Sequence, residues 1–246
     1  MLPQGFLFYV RPWIDEMSTV AEKVDSRRMQ RMFGTIAPRY DFITRAFSFG
    51  MDAGWKRKAV EGARLPIDPR VLDLACGTGD FARLVLDARP TAVAAACDLT
   101  WEMLPKARER GIGNLAAADA MRLPFPDHCF DAVFAGYGLR NFPNLPHASA
   151  EIFRVLKPGG VLATLDFFLP ENRLWRTLYL GYLYVQGAFW GWLLHRNPKI
   201  YTYIPDSICE FTSATGLCQI LAQQGFRDIQ CRQFVLGGIA LHWARA

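Results

Sequence analysis

A regular alternation of apolar runs and amphipathic segments between Arg70 and Leu169 constrains the fold of this chain more than any other feature. Buried strands are predicted at 71–75, 92–97, 131–135 and 161–167, and helices at 80–88, 101–110 and about 146–156. Strand–helix alternation of this kind is typical of βαβ units, in which the strands are parallel. A helix predicted at 213–225 and two strand-like runs at about 228–236 and 238–243 follow. This terminal hairpin would place one antiparallel strand in an otherwise parallel sheet.

The most informative motif is the glycine-rich segment Asp73-Leu-Ala-Cys-Gly-Thr-Gly-Asp80, which follows the first strand and opens the first helix. Glycines are needed where a ligand lies against the backbone or where the turn requires a positive φ. The next strand ends at Asp98, in the position where a carboxylate accepts hydrogen bonds from the ribose of a bound nucleotide. The candidate cofactor-binding residues are Asp73, Ala75, Gly77, Thr78, Gly79, Asp98, Leu99, Asp119 and Ala120.

Two kinds of nucleotide ligand are compatible with this loop. The segment from Gly77 to Ala82 fits the dinucleotide fingerprint, so an NAD-dependent oxidoreductase is one alternative. Asp73 and Asp80, however, would repel a pyrophosphate at the start of the helix. A ligand with a ribose, an ammonium group and a sulfonium centre, and with no phosphate, fits better. We therefore predict that the cofactor is S-adenosylmethionine.

Further motifs occur in the order found in a known family. They are Met32-Phe-Gly-Thr-Ile-Ala-Pro-Arg-Tyr-Asp41, Ser48-Phe-Gly50, Asp119-Ala120, Gly138-Leu-Arg-Asn141, Arg154-Val-Leu-Lys-Pro-Gly-Gly160, Tyr201-x-Tyr203 and Gly237-Gly-Ile-Ala-Leu-His242. Together with the glycine loop, they make residues 30–243 resemble the ubiquinone/menaquinone biosynthesis C-methyltransferases. In two places the chain departs from the family pattern. Thr44 stands where the family usually has Asn, and Asp166-Phe-Phe-Leu-Pro170 stands where it usually has Glu-Phe-Ser-Lys-Pro.

The resemblance implies a class I methyltransferase that methylates a ring carbon of a polyprenylated quinol. A ring carbon is a poor nucleophile until a neighbouring hydroxyl loses its proton, so such a site needs a proton acceptor or donors that stabilise the phenolate. Arg140 is expected to stabilise the oxyanion, Asn141 to orient a ring oxygen and Asp166 to act as a base. The candidate catalytic residues are Arg140, Asn141, Asp166 and Tyr203, and the candidate substrate-binding residues are Tyr40, Asp41, Tyr137 and Phe168.

Four regions are expected along the chain. They are an N-terminal helical cap at 1–68, a Rossmann-like core that binds S-adenosylmethionine at 69–170, an aromatic helical lid at 171–212, and a C-terminal helix and hairpin that complete the core at 213–246. The best helix candidate in the cap runs from Asp15 to Thr35. Thr177 to Leu194 is uncharged and reaches the length of a membrane span, but it contains three glycines and six aromatic residues. These residues favour a buried or amphiphilic lid helix over an interfacial or spanning one, and we expect residues 172–204 to cover a prenyl tail.

Composition and residue spacing exclude several other classes of protein. The six cysteines form no C-x-x-C pair and the four histidines form no H-x-x-x-H pair, so neither a metal site nor a disulfide scaffold is expected. A reduced, cytoplasmic protein fits best. The net charge of +5 and the basic residues Lys23, Arg27, Arg28 and Arg31 suit a solvated helix face or an anionic membrane surface better than nucleic acid.

Several alternatives stay open at this stage. The acceptor could be a benzoquinol, a naphthoquinol or another hydrophobic phenol, lipid or secondary metabolite, because Phe168 and Leu169 would make the site more apolar than in the family. A non-catalytic accessory protein of a quinone-synthesis assembly is a further alternative. Peripheral contact with the membrane and a homodimer are both compatible with the sequence.

Overall fold

The computed structural model describes residues 26–246. Its helices are α1 Ser26–Ile36, α2 Tyr40–Phe47, α3 Asp52–Gly62, α4 Asp80–Ala88, α5 Leu104–Glu109, α6 Leu145–Val155, α7 Arg173–His195, α8 Tyr203–Glu210 and α9 Ala214–Gln223. Its strands are β1 Arg70–Leu74, β2 Val93–Asp98, β3 Asn114–Ala117, β4 Phe130–Gly136, β5 Leu156–Phe167, β6 Arg227–Phe234 and β7 Ile239–Arg245. Lys23 and the first part of the helix expected from Asp15 to Thr35 lie outside the described residues.

The seven strands form one sheet in the order β3-β2-β1-β4-β5-β7-β6. Strands β1 to β5 are parallel, and β7 is antiparallel to both of its neighbours, β5 and β6. The predicted fold, a mostly parallel sheet with one antiparallel C-terminal strand, is therefore confirmed. The chain leaves β1 toward β2 on one side and returns to β4 on the other, and ligands bind at such a switch point, outside the carboxyl ends of the strands.

Helices cover both faces of the sheet, which explains why the strands have apolar residues on both sides. Val71 belongs to the apolar cluster that packs under α1 to α5, α7 and α8, whereas its neighbour Leu72 belongs to the cluster under α6 and α9. Successive strand residues point to opposite faces, so a continuous apolar run is what a doubly covered strand requires.

One segment with the composition of a turn lies inside a strand. Residues 157–160 contain Pro158, Gly159 and Gly160, which are typical of a turn before the strand predicted at 161, but β5 already begins at Leu156. The pairing of β5 with β4 is irregular here. Phe130 pairs with Leu156, but the next pair is Ala132 with Val161, so the residues between Leu156 and Val161 have no regular partners on β4. Gly159, with a φ of +77°, and Gly160 bond instead to the main chain of Ala246, so the C-terminus keeps this segment extended.

The aromatic segment forms α7, which has two different faces. Asn172 caps its start by accepting a hydrogen bond from the Trp175 amide (3.0 Å). The face toward the core consists of Tyr179, Leu183, Gly187 and Gly191, and the opposite, exposed face carries Leu174, Leu178, Val185, Phe189 and Trp192. Over residues 26–246, we find no helix whose length and apolar character would suffice to cross a bilayer.

Candidate active site

The glycine loop turns sharply between β1 and α4. Ala75, Gly77 and Gly79 all have positive φ, at +51°, +52° and +83°. A Cβ on Gly79 would lie 3.1 Å from that of Ala107, so this position needs glycine both for its conformation and for space. The Gly77 amide donates to Asp98 Oδ2 (2.8 Å), which ties the loop to the end of β2.

A cavity of about 740 Å³, counting the space that opens to solvent, lies at the carboxyl ends of β1, β2 and β4. Of the candidate cofactor residues, the cavity is lined by Ala75, Gly77, Asp98, Leu99, Asp119 and Ala120. Of the candidate catalytic and substrate-binding residues, it is lined by Tyr40, Tyr137 and Asn141.

Two carboxylates stand on the nucleotide side of this cavity. Asp98 Oδ1 accepts from the Thr100 amide (2.7 Å), and Asp119 Oδ1 accepts from the Met121 amide (2.9 Å). Burial raises the pKa of Asp98, while its hydrogen bonds to the Thr100 and Gly77 amides oppose the rise. Each carboxylate oxygen has two lone pairs, so both acids retain acceptor capacity for ligand hydroxyl or amino groups.

The remaining candidate cofactor residues lie behind the loop. Asp73 Oδ2 accepts from the Ala82 amide inside α4 (2.8 Å), and burial raises the pKa of Asp73 to about 8. Thr78 donates from Oγ1 to Asp41 Oδ1 (2.7 Å). Asp73, Thr78 and Gly79 therefore fix the conformation of the loop and its contacts with α2 and α4, and they do not line the cavity.

Aromatic side chains form another part of the cavity wall. A Cβ on Gly77 would lie 3.3 Å from Tyr40 Cε1, so this ring covers the loop closely. Phe33 packs between Tyr40 (ring centroids 6.3 Å apart) and Tyr203 (5.7 Å, edge-on). The Tyr137 hydroxyl is buried and has no hydrogen-bond partner within the described part of the chain. Burial raises the pKa of Tyr40, Tyr137 and Tyr203, so all three phenols are neutral at neutral pH.

Arg140 and Asp166 form a buried ion pair next to this wall. Arg140 Nη1 donates to Asp166 Oδ1 and to the Tyr137 carbonyl (2.9 Å), and Nε donates to Ser207 Oγ (3.2 Å). Arg140 also makes a side-chain hydrogen bond with Tyr203, which opposes the rise in the pKa of that phenol. Neither member of the pair lines the cavity, and the donors of Arg140 are engaged with protein groups. Asp166 is fully buried, and burial raises its pKa against the influence of Arg140.

Phe168 is placed differently from the sequence expectation. It lies in the core on the other face of the sheet, where its ring packs against Phe211 (5.2 Å) and His242 (5.3 Å). The reason is strand alternation, because Phe167, one residue earlier, faces Tyr137 (5.0 Å) beside the cavity. The departure from the family at Phe168 therefore changes the packing of the core and leaves the cavity wall as it is.

A network of charges attaches α2 and α3 to the glycine loop. Asp41 pairs with Arg110, which also pairs with Asp80, and Asp80 pairs with the buried Lys56. Asp80 is therefore paired with two cations, which also pair with Asp52 and Asp41. Lys56 and Arg110 could not be connected to Asp80 from the sequence, because they lie 24 and 30 residues away from it.

Other wall residues also escaped the sequence analysis. They are Met29, Phe33, Thr100, Met103, Ala118, Phe142 and Pro143. Phe33 could have been predicted from the sequence, because it lies in the same N-terminal motif as Tyr40. The apolar residues that follow β2 and β4 could not be recognised as site residues from the sequence, because apolar residues line ligand cavities and ordinary cores alike.

The chain is similar in sequence to proteins of one known family. The model of the ubiE/COQ5 methyltransferase family matches residues 21–246. A demethylmenaquinone methyltransferase of Deinococcus radiodurans is 39% identical over 214 residues, which cover 85% of this chain and 89% of that protein. A ubiquinone/menaquinone biosynthesis C-methyltransferase of Geobacter sulfurreducens is 37% identical over 219 residues, which cover 85% of each protein.

A solved structure supports the fold. A SAM-dependent methyltransferase from Thermotoga maritima aligns with this chain with a TM-score of 0.60 and 19% sequence identity. The alignment covers 87% of this chain and 98% of the Thermotoga chain. Family and fold together confirm the predicted enzyme class, a methyltransferase that uses S-adenosylmethionine. The chain belongs to the ubiE/COQ5 methyltransferase family.

Proposed function

We propose that this protein methylates a ring carbon of a polyprenylated quinol. The observation that carries the proposal is one cavity with two kinds of wall residue: the carboxylates Asp98 and Asp119 beside a glycine loop, and the aromatic residues Phe33, Tyr40 and Tyr137. The first kind suits a nucleoside, and the second suits a flat, apolar ring with oxygen substituents. The names of the Deinococcus and Geobacter relatives supply the substrate class.

The nucleotide wall fits S-adenosylmethionine group by group. Asp98 would accept hydrogen bonds from the ribose hydroxyls, and Asp119 with Ala120 would bind the adenine. Positive φ values at Ala75 and Gly77 bring the backbone close to the ligand. The bound cofactor supplies an electrophilic methyl group on a sulfonium centre. The protein must therefore hold the acceptor carbon about 3–3.5 Å from that methyl, in line with the leaving sulfur.

The aromatic wall would stabilise the activated acceptor. Because burial keeps the phenols of Tyr40 and Tyr137 neutral, each can donate a hydrogen bond to a developing phenolate. The Asn141 amide is a third donor at the same cavity, and Tyr203 supports this wall by packing against Phe33. Arg140 would act as a positioning residue, since its guanidinium holds Tyr203 and the Tyr137 carbonyl rather than pointing into the cavity.

Proton removal is assigned to water. Among the described residues that line the cavity there is no histidine, and the two carboxylates, Asp98 and Asp119, stand on the nucleotide wall. Asp166 is committed to Arg140 and to the Phe167 amide (2.8 Å). We therefore assign to the wall the role of lowering the energy of the phenolate, while the hydroxyl proton leaves to solvent. After the methyl has moved from sulfur to the ring carbon, the proton on that carbon also leaves to solvent, which restores the aromatic ring.

An assay with two acceptors tests the proposal. Purified protein and S-adenosylmethionine are incubated with demethylmenaquinol or with a polyprenylated methoxybenzoquinol, and products are measured by mass spectrometry. We expect methylation of at least one quinol, with an equal amount of S-adenosylhomocysteine. Cofactor binding without methylation of either quinol would contradict the proposal. Another phenol or lipid acceptor has less support than the sequence suggested, because Phe168 lies away from the cavity.

The exposed face of α7 is proposed to rest on the membrane that holds the quinol. Leu174, Leu178, Val185, Phe189 and Trp192 project from it, with exposed fractions between 52% and 73%. Helix α7 contains no acidic residue, and exposed cations stand at Arg173 and Arg196 near its two ends. An apolar face flanked by cations is typical of helices that lie in the interface of an anionic bilayer.

This surface is continuous with α2 and the turn that follows it. Phe42 packs edge-on against Trp190 (4.9 Å), and Phe49 stacks on Tyr182 (5.2 Å). Since α2 also carries the cavity residue Tyr40 at its start, a quinol whose tail stays in the bilayer could present its ring to the cavity along these helices. Residues 172–204 would then support the tail, as the sequence suggested.

Vesicle sedimentation tests the membrane contact. The double variant Val185→Glu/Phe189→Glu should bind vesicles of phosphatidylglycerol and phosphatidylcholine at least about tenfold more weakly, because it places two charges on the apolar face. Ile67→Glu is the matched control, since Ile67 is 80% exposed in the loop before β1. Equal binding of both variants and the wild type would contradict the contact.

A further inference from the structure

A cluster of two cysteines and one histidine lies apart from the cavity. Cys218 is on α9, Cys231 is on β6 and His242 is on β7, and one ligand atom from each lies within 4.8 Å of the others. Cys231 and His242 are direct partners in the β6–β7 ladder. Their spacings of 13 and 11 residues match no sequence motif, which is why the sequence analysis expected no metal site.

One ring nitrogen of the histidine has no hydrogen-bond partner among residues 26–246. His242 Nε2 lies 2.9 Å from the Ala214 carbonyl, an arrangement in which Nε2 carries the proton and donates it. The lone pair is then on Nδ1, and Nδ1 is buried and has no hydrogen-bond partner in the described part of the chain. An unpaired buried acceptor is costly, and a bound cation would satisfy it.

The first cysteine shares the same anchor. The Cys218 thiol donates to the Ala214 carbonyl (3.5 Å), so one main-chain oxygen orients both side chains. Cys218 is partly exposed and Cys231 is exposed, so an ion can reach the cluster from solvent while His242 forms its buried floor. The three residues belong to three different elements, and only the folded chain brings them together.

We propose that Cys218, Cys231 and His242 form a binding site for Zn²⁺ that is separate from the methyltransferase cavity. Two thiolates and an imidazole are a zinc ligand set, and the open side toward solvent leaves the fourth position for water. A tetrahedral site with bonds of about 2.3 Å to sulfur and 2.0–2.1 Å to nitrogen needs ligand atoms somewhat less than 4 Å apart. Because the ligand atoms lie within 4.8 Å of one another, the side chains have to approach by at most about 1 Å on binding.

The ion would connect α9 to the edge of the sheet. β6 is the outermost strand, and the bridge would join it to α9 on the layer opposite α7. Because the ligands come together only in the folded chain, Zn²⁺ binds the native state and raises its stability by linkage. The proposal does not depend on which acceptor the enzyme methylates, since the cluster contributes no residue to the cavity wall.

Metal titration of the full-length protein tests this site. The reduced, metal-free protein is titrated with Co²⁺ as a spectroscopic probe and with Zn²⁺ against a chromogenic chelator. We expect one ion per chain, a thiolate-to-Co²⁺ charge-transfer band, and a rise in melting temperature with Zn²⁺. Cys218→Ser and Cys231→Ser should each weaken Zn²⁺ binding at least about tenfold and reduce the band.

Cys209→Ser is the matched control, because Cys209 is an exposed cysteine on α8 outside the cluster. It should keep the wild-type affinity, band and melting shift. Binding of S-adenosylhomocysteine to each variant reports that the fold is intact. An absent charge-transfer band, or a band that is the same in the Cys218→Ser/Cys231→Ser double variant as in the wild type, would overturn the proposal.

Discussion

Asp98 holds two segments of the cavity wall in place at once. Its two carboxylate oxygens accept from the amides of Gly77 and Thr100, so the glycine loop and the end of β2 share one anchor. Hydrogen bonds to a charged group contribute about 1.5–3 kcal/mol each, more than neutral ones. The residue therefore both shapes the site and offers its remaining lone pairs to the ligand.

Replacing this carboxylate should weaken cofactor binding. Asp98→Ala should raise the dissociation constant for S-adenosylmethionine by about 10- to 100-fold, because a charged hydrogen-bond acceptor is lost. Isothermal titration calorimetry measures the change. Asp87→Ala is the control, since it removes an exposed carboxylate from α4. An unchanged constant for Asp98→Ala would show that the ribose is bound elsewhere.

Tyr203 is expected to affect turnover more than binding. Tyr203→Phe removes the hydroxyl that bonds to Arg140 while keeping the ring against Phe33, so the wall is less well positioned and kcat should fall by at least about tenfold, while the affinity for S-adenosylmethionine stays constant. Tyr182→Phe is the matched control on α7, where the hydroxyl bonds to Gln186. Equal kcat values for the two variants would remove Tyr203 from the mechanism.

At the residue scale, sequence reasoning found more site members than it found relationships between them. Asn141, Asp98 and Tyr40 line the cavity as expected. Arg140 and Asp166 were proposed for separate roles, yet they are partners, because β4 and β5 are adjacent and bring together residues 26 apart. Such pairings depend on strand order, which local patterns do not contain.

Two glycines of α7 show how the helix is fitted to the fold. A Cβ on Gly191 would lie 2.5 Å from the Asn197 carbonyl oxygen, so the loop after the helix approaches its backbone directly. A Cβ on Gly181 would have no atom within 4 Å. Gly191 thus permits close packing of the loop, whereas Gly181 makes no close contact and only lowers the helix propensity of the segment.

The two positions should respond oppositely to alanine. Gly181→Ala should raise the free energy of unfolding by about 0.5–1 kcal/mol, because alanine loses less conformational entropy in a helix. Gly191→Ala should lower it by roughly 1–3 kcal/mol, because the loop backbone has to move. Urea unfolding followed by circular dichroism gives both values. A shift of the same sign for both variants would contradict the packing of α7.

At the element scale, periodicity was informative where an element is regular. The helix at 80–88 was located to the residue, and the bounds predicted for β1, β2, β4, β6 and β7 agree within two positions, whereas no bounds were predicted for β3. The start of β5 was missed because Pro158, Gly159 and Gly160 are turn residues, and only pairing with the C-terminus makes them extended. Long-range hydrogen bonds of this kind override local preference.

The stability of the whole molecule should depend on the buried acid beneath the loop. Burial raises the pKa of Asp73 to about 8, with Asp80 and Asp98 adding to the rise and Lys56 opposing it. Below that pH the folded chain keeps a proton that the unfolded chain has lost above about pH 4. Stability from this group is therefore full below pH 4 and is lost as the pH rises through about 8.

Asp73→Asn removes this dependence and leaves an amide oxygen for the Ala82 amide. The free energy of unfolding of the wild type should fall relative to the variant as the pH rises from 5 to 7. The relative slope should approach about 1.4 kcal/mol per pH unit. Urea unfolding at a series of pH values measures it. A constant difference between the two proteins would mean that Asp73 is ionised in the folded state.

The whole molecule unites a nucleotide-binding edge, an aromatic wall and an exposed apolar helix, and we infer that they serve methylation of a ring carbon. The most direct test uses S-adenosylmethionine with a deuterated methyl group and demethylmenaquinol. Nuclear magnetic resonance of the product then locates the label. We expect a deuterated methyl on a ring carbon, with loss of the ring hydrogen at that position. A label on a quinol oxygen, or no labelled product from protein that binds the cofactor, would contradict this inference.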